Sequence, residues 1–143
     1  MMRFVTVLLA MTIHSVHAGP VTTLDEARQV SDAVMQEIAQ GKVKAGFDRL
    51  RVHTTAAPAE VDVAARHAEA GLKAPPMLER YGNSIGSEFI RDIRVGSSLV
   101  RYIYLHKFER NALRWRVDWY RAADDWRVVY FNFDDKVQEL FGN

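Results

Sequence analysis

Residues 83–134 read NSIGSEFIRDIRVGSSLVRYIYLHKFERNALRWRVDWYRAADDWRVVYFNFD, and this stretch decides the fold. Long β-branched and aromatic runs alternate with short polar breaks, the signature of consecutive antiparallel strands. The first strand carries Ile85, Phe89, Ile93 and Val95 on its odd positions, which predicts one shared face, and Gly96-Ser97-Ser98 turns the chain. Leu99 to Glu109 is the second strand, with Arg110-Asn111 at a tight hairpin tip. Ala112 to Arg121 is the third, Ala122 to Asp125 a loop, and Trp126 to Asp134 the fourth. Four strands joined by short loops make a meander.

The central hairpin separates two faces. With Glu109 opposite Ala112, Tyr102 faces Trp119, Tyr104 faces Val117 and His106 faces Trp115. Alternation puts these six side chains on one side of the sheet. The other side mixes Leu99, Ile103, Leu105 and Tyr120 with Arg101, Lys107, Arg114, Arg116 and Asp118. Burying an aromatic ring gains about 2–3 kcal/mol, whereas burying unpaired arginines costs several, so the aromatic face is expected beneath the helices. In the fourth strand a plain loop directs Val128 and Tyr130 inward; a bulge would instead bring in Val129, Phe131 and Phe133. The plain loop is the preferred reading.

Upstream of the sheet the pattern is helical. Thr23-Leu24-Asp25-Glu26 is a capping box opening a helix to about Gln40, with Ala27, Val30, Val34 and Ile38 on one face and Gly41 as its stop. A second helix runs from Lys44 to Arg51, and Val52 to Thr55 is a loop or a very short edge strand. Pro58 starts a third helix that buries Val61, Ala65, Ala68 and Leu72. Pro75-Pro76 interrupts it, and Met77, Leu78 and Tyr81 fit one more turn. The fold class is therefore α+β: helices packed on a curved four-stranded antiparallel sheet, one domain over residues 19–143.

Met1 to Ala18 reads as a signal peptide. Arg3 is its positive region, Phe4 to Ile13 its apolar run, and cleavage is expected after Ala18. About ten apolar residues are far too few to span a bilayer, so no transmembrane segment is expected. The chain has no cysteine, so its stability rests on packing, and lipidation at the cleavage point is excluded. An exported address follows, periplasmic or secreted. Residues 19–143 balance 18 basic against 18 acidic side chains, which argues against nucleic acid as a partner.

A helix, shorter helices and a long meander ending in DDWRVVYFNFDD together resemble the nuclear transport factor two-like superfamily, the cone-shaped fold that includes ketosteroid isomerase. The segment YLHKFERNALRWRVDWYRAADDWRVVYFNFDD is also similar to a group of bacterial exported proteins of unknown role. The resemblance implies a pocket between the concave sheet face and the helices. Tyr102, Tyr104, His106, Trp115, Trp119 and Tyr130 would line it. Enzymes of that superfamily place a tyrosine or histidine with an aspartate there. No sheet carboxylate joins these rings, because Asp118 points the other way.

The leading functional expectation is thus a non-catalytic binding or accessory module for an apolar small molecule or a cell-envelope partner, without a cofactor. The alternatives are a small lyase or isomerase using His106 and a tyrosine, Tyr102 being the other weak catalytic candidate, or a structural interaction domain whose pocket is filled. A carboxylate from a helix beside His106, such as Glu37 or Glu69, would favour the enzyme. His53 and His67 lack metal-ligand spacing, and Asp134-Asp135 reads as a cap for a short tail, so no metal site is expected. The basic surplus between Arg91 and Arg127 reads as a solvated outer face with cross-strand ion pairs, or as a contact for an anionic partner. The apolar strip Leu99, Ile103 and Leu105 on that face points to a homodimer formed sheet to sheet.

Overall fold

The computed structural model describes residues 19–142. The signal-peptide reading falls on Met1–Ala18, outside the described residues. No described helix is long and apolar enough to cross a membrane. The elements are α1 (Leu24–Ala39), α2 (Val43–Arg51), α3 (Pro58–Lys73), α4 (Pro75–Tyr81), β1 (Ser84–Val95), β2 (Leu99–Phe108), β3 (Ala112–Arg121) and β4 (Trp126–Asp134), then a 3-10 turn over Val137–Phe141. The strands form one antiparallel sheet in the order β1-β2-β3-β4. This is the α+β architecture expected.

Each helix starts and stops where its chemistry dictates. Thr23 Oγ1 accepts from the Glu26 amide at 3.1 Å and the Glu26 carboxylate accepts from the Thr23 amide at 3.1 Å, satisfying two amides that lack helical partners. Gly41, at φ +80°, takes the left-handed conformation that ends α1. Ala74 is extended before two prolines, which ends α3 and lets Pro75 open α4.

Trp115 and Trp119 are wholly inaccessible, and Tyr102, Tyr104, Val117 and His106 are buried beside them under α1 and α2. The expected division of faces holds. The register differs from the one expected: Tyr102 faces Val117, Tyr104 faces Trp115 and His106 faces Leu113. The hairpin tip is Glu109-Arg110, closed by the Phe108 amide donating to Asn111 O at 2.9 Å. Glu109 leaves the ladder because it is claimed elsewhere. Its carboxylate accepts from the Asn83 amide at 3.0 Å, while the Arg110 amide donates to Tyr81 O at 2.9 Å. Gly82 permits this docking, since at φ +79° a Cβ would lie 2.6 Å from Glu109 Oε2. The slip is two residues, an even number, so every side chain keeps its face.

Three register shifts, at Ile85, Ile90 and Val129, correct the reading of the edge strands. In β1 the register skips Ile90, so Phe89 faces inward opposite Tyr104 while Ile93 and Val95 lie outward opposite Arg101 and Leu99. The four apolar residues of β1 do not share a face. In β4 the register skips Val129. Trp126 and Val128 point inward on one side of the bulge, and Phe131 and Phe133 on the other, where they meet Trp115 at 5.0 and 4.5 Å between ring centres. Tyr130, expected to face inward, lies opposite Asp118 on the outer face and is 42% exposed. The first half of β4 is also paired on its free side. Val21 bridges Trp126 antiparallel and Thr54 bridges Val128 parallel. That pins the strand before the bulge and covers the edge.

The outer face carries cross-strand ion pairs, as expected. Arg101 and Asp118 meet twice at 2.8 Å. Arg114, itself buried, holds Asp134 at 2.7 Å and Glu139 at 2.8 Å. The C-terminal turn lies over this face, tied also by the Arg91 guanidinium to Leu140 O at 2.9 Å. Of the apolar strip expected on this face, Leu99 is exposed, Leu105 half-buried and Ile103 buried; Ile93, Val95, Tyr120 and Tyr130 are exposed there as well.

The β4 bulge sets a stability contrast between neighbours. Val128→Ala is expected to cost about 2 kcal/mol, because Val128 is 3% exposed, while Val129→Ala, at 48% exposed, should change stability by less than about 0.5 kcal/mol. Urea unfolding of the two variants checks the placement; equal losses would contradict it.

Candidate functional site

Most inner-face rings line no open pocket; they form the core. Several of their polar tips are satisfied within it, whereas Trp115 Nε1 is buried without a hydrogen-bond partner among the described residues. Trp119 Nε1 donates to Ser31 Oγ at 2.9 Å, and Ser31 Oγ donates to Ala27 O at 2.8 Å. The Tyr102 hydroxyl donates to Leu24 O at 2.9 Å; burial, with the Asp92 carboxylate adding to it, pushes its phenol up to about 12. Of the six residues expected to line a pocket, Tyr104 reaches an open cleft, and Tyr130 borders a separate hollow between α2, α3 and β4. Tyr102, His106, Trp115 and Trp119 are packing residues in this structure.

The cleft has a volume of about 900 Å³ and lies where β1 diverges from α1. Arg28, Asp32 and Gln36 come from α1, Gln40 from its C-cap, and Ser84, Ser87 and Phe89 from β1. Asp32 Oδ1 accepts from the Tyr104 hydroxyl at 2.7 Å and from Arg28 Nε at 2.7 Å. The Arg28 guanidinium lies over the Phe89 ring, with Cζ 3.2 Å from its centre. Burial and the neighbouring Asp32 carboxylate raise the Tyr104 phenol far above its usual range, so Tyr104 stays a neutral donor. A carboxylate thus does meet an inner-face ring, and it comes from a helix rather than from the sheet, where Asp118 lies on the outer face as expected. The signal was present: Arg28 and Asp32 are four apart and flank the buried stripe of Ala27, Ser31 and Met35.

His106 stands behind the cleft wall. Its Nε2 lies 2.8 Å from Ser84 Oγ, and Ser84 Oγ lies 2.6 Å from Ala39 O. A carbonyl only accepts, so the serine's one proton goes to Ala39 and His106 donates from Nε2. Nδ1 is then the bare nitrogen, and it is buried without a partner among the described residues. In this arrangement His106 cannot take a proton from Ser84. Neither expected helical carboxylate reaches it: Glu37 pairs with Arg49 at 2.6 Å and Glu69 with Lys73 at 2.8 Å. Among the described residues no three His, Asp or Glu side chains gather as metal ligands would.

No protein-family model matches the chain, and no curated protein matches it. Among solved structures it is similar to one described as a calcium/calmodulin-dependent protein kinase type II association domain from Thiobacillus denitrificans. The identity is 18% and the TM-score 0.46, over 80% of this chain and 96% of that one. The fold assignment rests on this chain's own elements and register rather than on that likeness.

Burial lowers the His106 pKa from 6.5 to about 4, so the folded protein keeps the ring neutral while the unfolded chain protonates it. The unfolded state therefore binds the extra proton, and stability falls as pH drops from about 6.5 to about 4, by roughly 3 kcal/mol from this group. Above pH 6.5 the group contributes no pH dependence. Chemical unfolding of the protein and of His106→Phe at pH 7 and pH 4.5 checks this: the variant should lose less stability on acidification, and parallel losses would refute it.

Proposed function

We propose that the chain is an exported, non-catalytic binding or accessory domain, and that its ligand site is the cleft between α1 and β1. The observation that carries this is the convergence of Tyr104, Asp32 and Arg28 on an open cleft of mixed polar and apolar lining, while the aromatic face behind it is filled. A binding role suits that arrangement better than proton-transfer chemistry. An acid–base group must reach its substrate, and the buried His106 has its Nε2 committed to Ser84. The polar part of that lining also moves the expected ligand away from a purely apolar molecule. The export reading is supported by Arg3 and the apolar run Phe4 to Ile13.

Native mass spectrometry of protein purified from its own host tests both parts. The chain should begin at Gly19 and carry a retained small molecule. Gln36→Trp, which fills the cleft from an exposed position on α1, should keep the thermal midpoint and lose that molecule. A chain beginning at Met1 removes the export reading; a ligand that persists in Gln36→Trp removes the cleft.

A homodimer is also part of this reading. It is supported by the exposed cluster of Ile93, Val95, Leu99 and Tyr120 at one end of the outer face, beside the mutually neutralised Arg101 and Asp118. Light scattering at micromolar concentration should give twice the monomer mass, and Leu99→Asp should return it to monomer. Monomer for the unaltered chain would exclude it.

A further inference from the structure

We infer that the cleft recognises an organic carboxylate carrying a hydroxyl or amino group next to the carboxylate, with Arg28 and Asp32 as its paired contacts. This rests on the cleft being a ligand site and adds the class of ligand. Arg28 is held on two sides. Its Nε donates to Asp32 Oδ1 at 2.7 Å, and one face of the guanidinium lies on Phe89. Among the described residues the carboxylate contact of Arg28 is through Nε, so neither Nη group is tied to a carboxylate, and the side chain borders the cleft. A planar guanidinium fixed at Nε and at one face leaves its outer edge as a fork of parallel N–H groups. That geometry matches the two oxygens of a carboxylate.

Asp32 supplies the second half. Tyr104 and Arg28 both donate to Oδ1, and Oδ2 takes no hydrogen bond from the described residues. The free carboxylate oxygen and the free guanidinium edge are neighbours on one helix, a turn apart. A simple anion would meet the fork but be repelled by Asp32. A ligand whose donor group faces Oδ2 turns that repulsion into a charge-assisted bond. Gln36, Gln40 and Asn83 extend the wall with amides suited to further hydroxyl or carbonyl groups. The Tyr104 hydroxyl, by fixing Oδ1, keeps Oδ2 turned outward.

The test is a nuclear magnetic resonance titration of the full chain that follows the Arg28 Nε–H signal and the amides of Gln36, Gln40 and Ser87. Glycolate, glycine, acetate, inorganic phosphate and glucose serve as probes. Glycolate or glycine should shift the Arg28 signal saturably and bind at least about tenfold more tightly than acetate, the discrimination one charge-assisted bond provides. Arg28→Lys keeps the charge, loses the fork, and should weaken glycolate about tenfold. Asp32→Asn should erase the preference over acetate while leaving the fold intact. If glucose moves the cleft amides and no carboxylate moves Arg28, the cleft is a site but this ligand class is wrong. If no probe moves any cleft signal, both are overturned. Equal affinity for phosphate, acetate and glycolate refutes the role given to Asp32.

Discussion

Everything in this molecule depends on how the sheet holds α1. Three rings of the central hairpin each deliver a polar tip to that one helix: Tyr102 to Leu24 O, Trp119 to Ser31 and Tyr104 to Asp32. The apolar bodies of the same rings fill the space between, so burial and hydrogen bonding favour the same orientation. An indole or phenol buried without a partner would forfeit part of what its area gains. Here each of the three satisfies that requirement on the helix it packs against. The helix therefore has its rotation about its own axis set by directional bonds as well as by apolar contact. That rotation is what brings Arg28 and Asp32 to the cleft.

Much of this was legible in the chain. The capping box at Thr23, the stop at Gly41, the proline pair between α3 and α4 and the aromatic bias of one sheet face all act locally, through side chains close in sequence. They need no knowledge of the rest of the fold. The hairpin register lies two residues from the one its turn residues predict, because Glu109 is engaged at Gly82 and Asn83, a contact that no turn propensity announces. The face assignment survived because the slip was even.

The edge strands were harder for a different reason. Ile90 and Val129 are ordinary strand formers, and nothing in their identity marks them as the residues a ladder skips. In β4 the bulge is set by Val21 and Thr54, which grip the strand on its free side from distant parts of the chain. Tyr130 was therefore placed inward by a rule of alternation that tertiary pairing had broken. The site was illegible for a related reason: it joins a helix to a sheet ring, and alternation within the sheet says nothing about which helical residue arrives opposite.

The two clasps on β4 also bear on the order in which the molecule can be made. Thr54 and Val128 are separated by 74 positions, and Val21 joins the strand from near the other extreme of the described chain. Contacts of such separation reward the chain only after most of its loop-closure entropy has been spent. The segments that carry Val21 and Thr54 are thus left waiting for the strand they grip, which is synthesised after them. Until Trp126 and its neighbours emerge, this domain has no complete native state to settle into, and its earlier segments stay threadable.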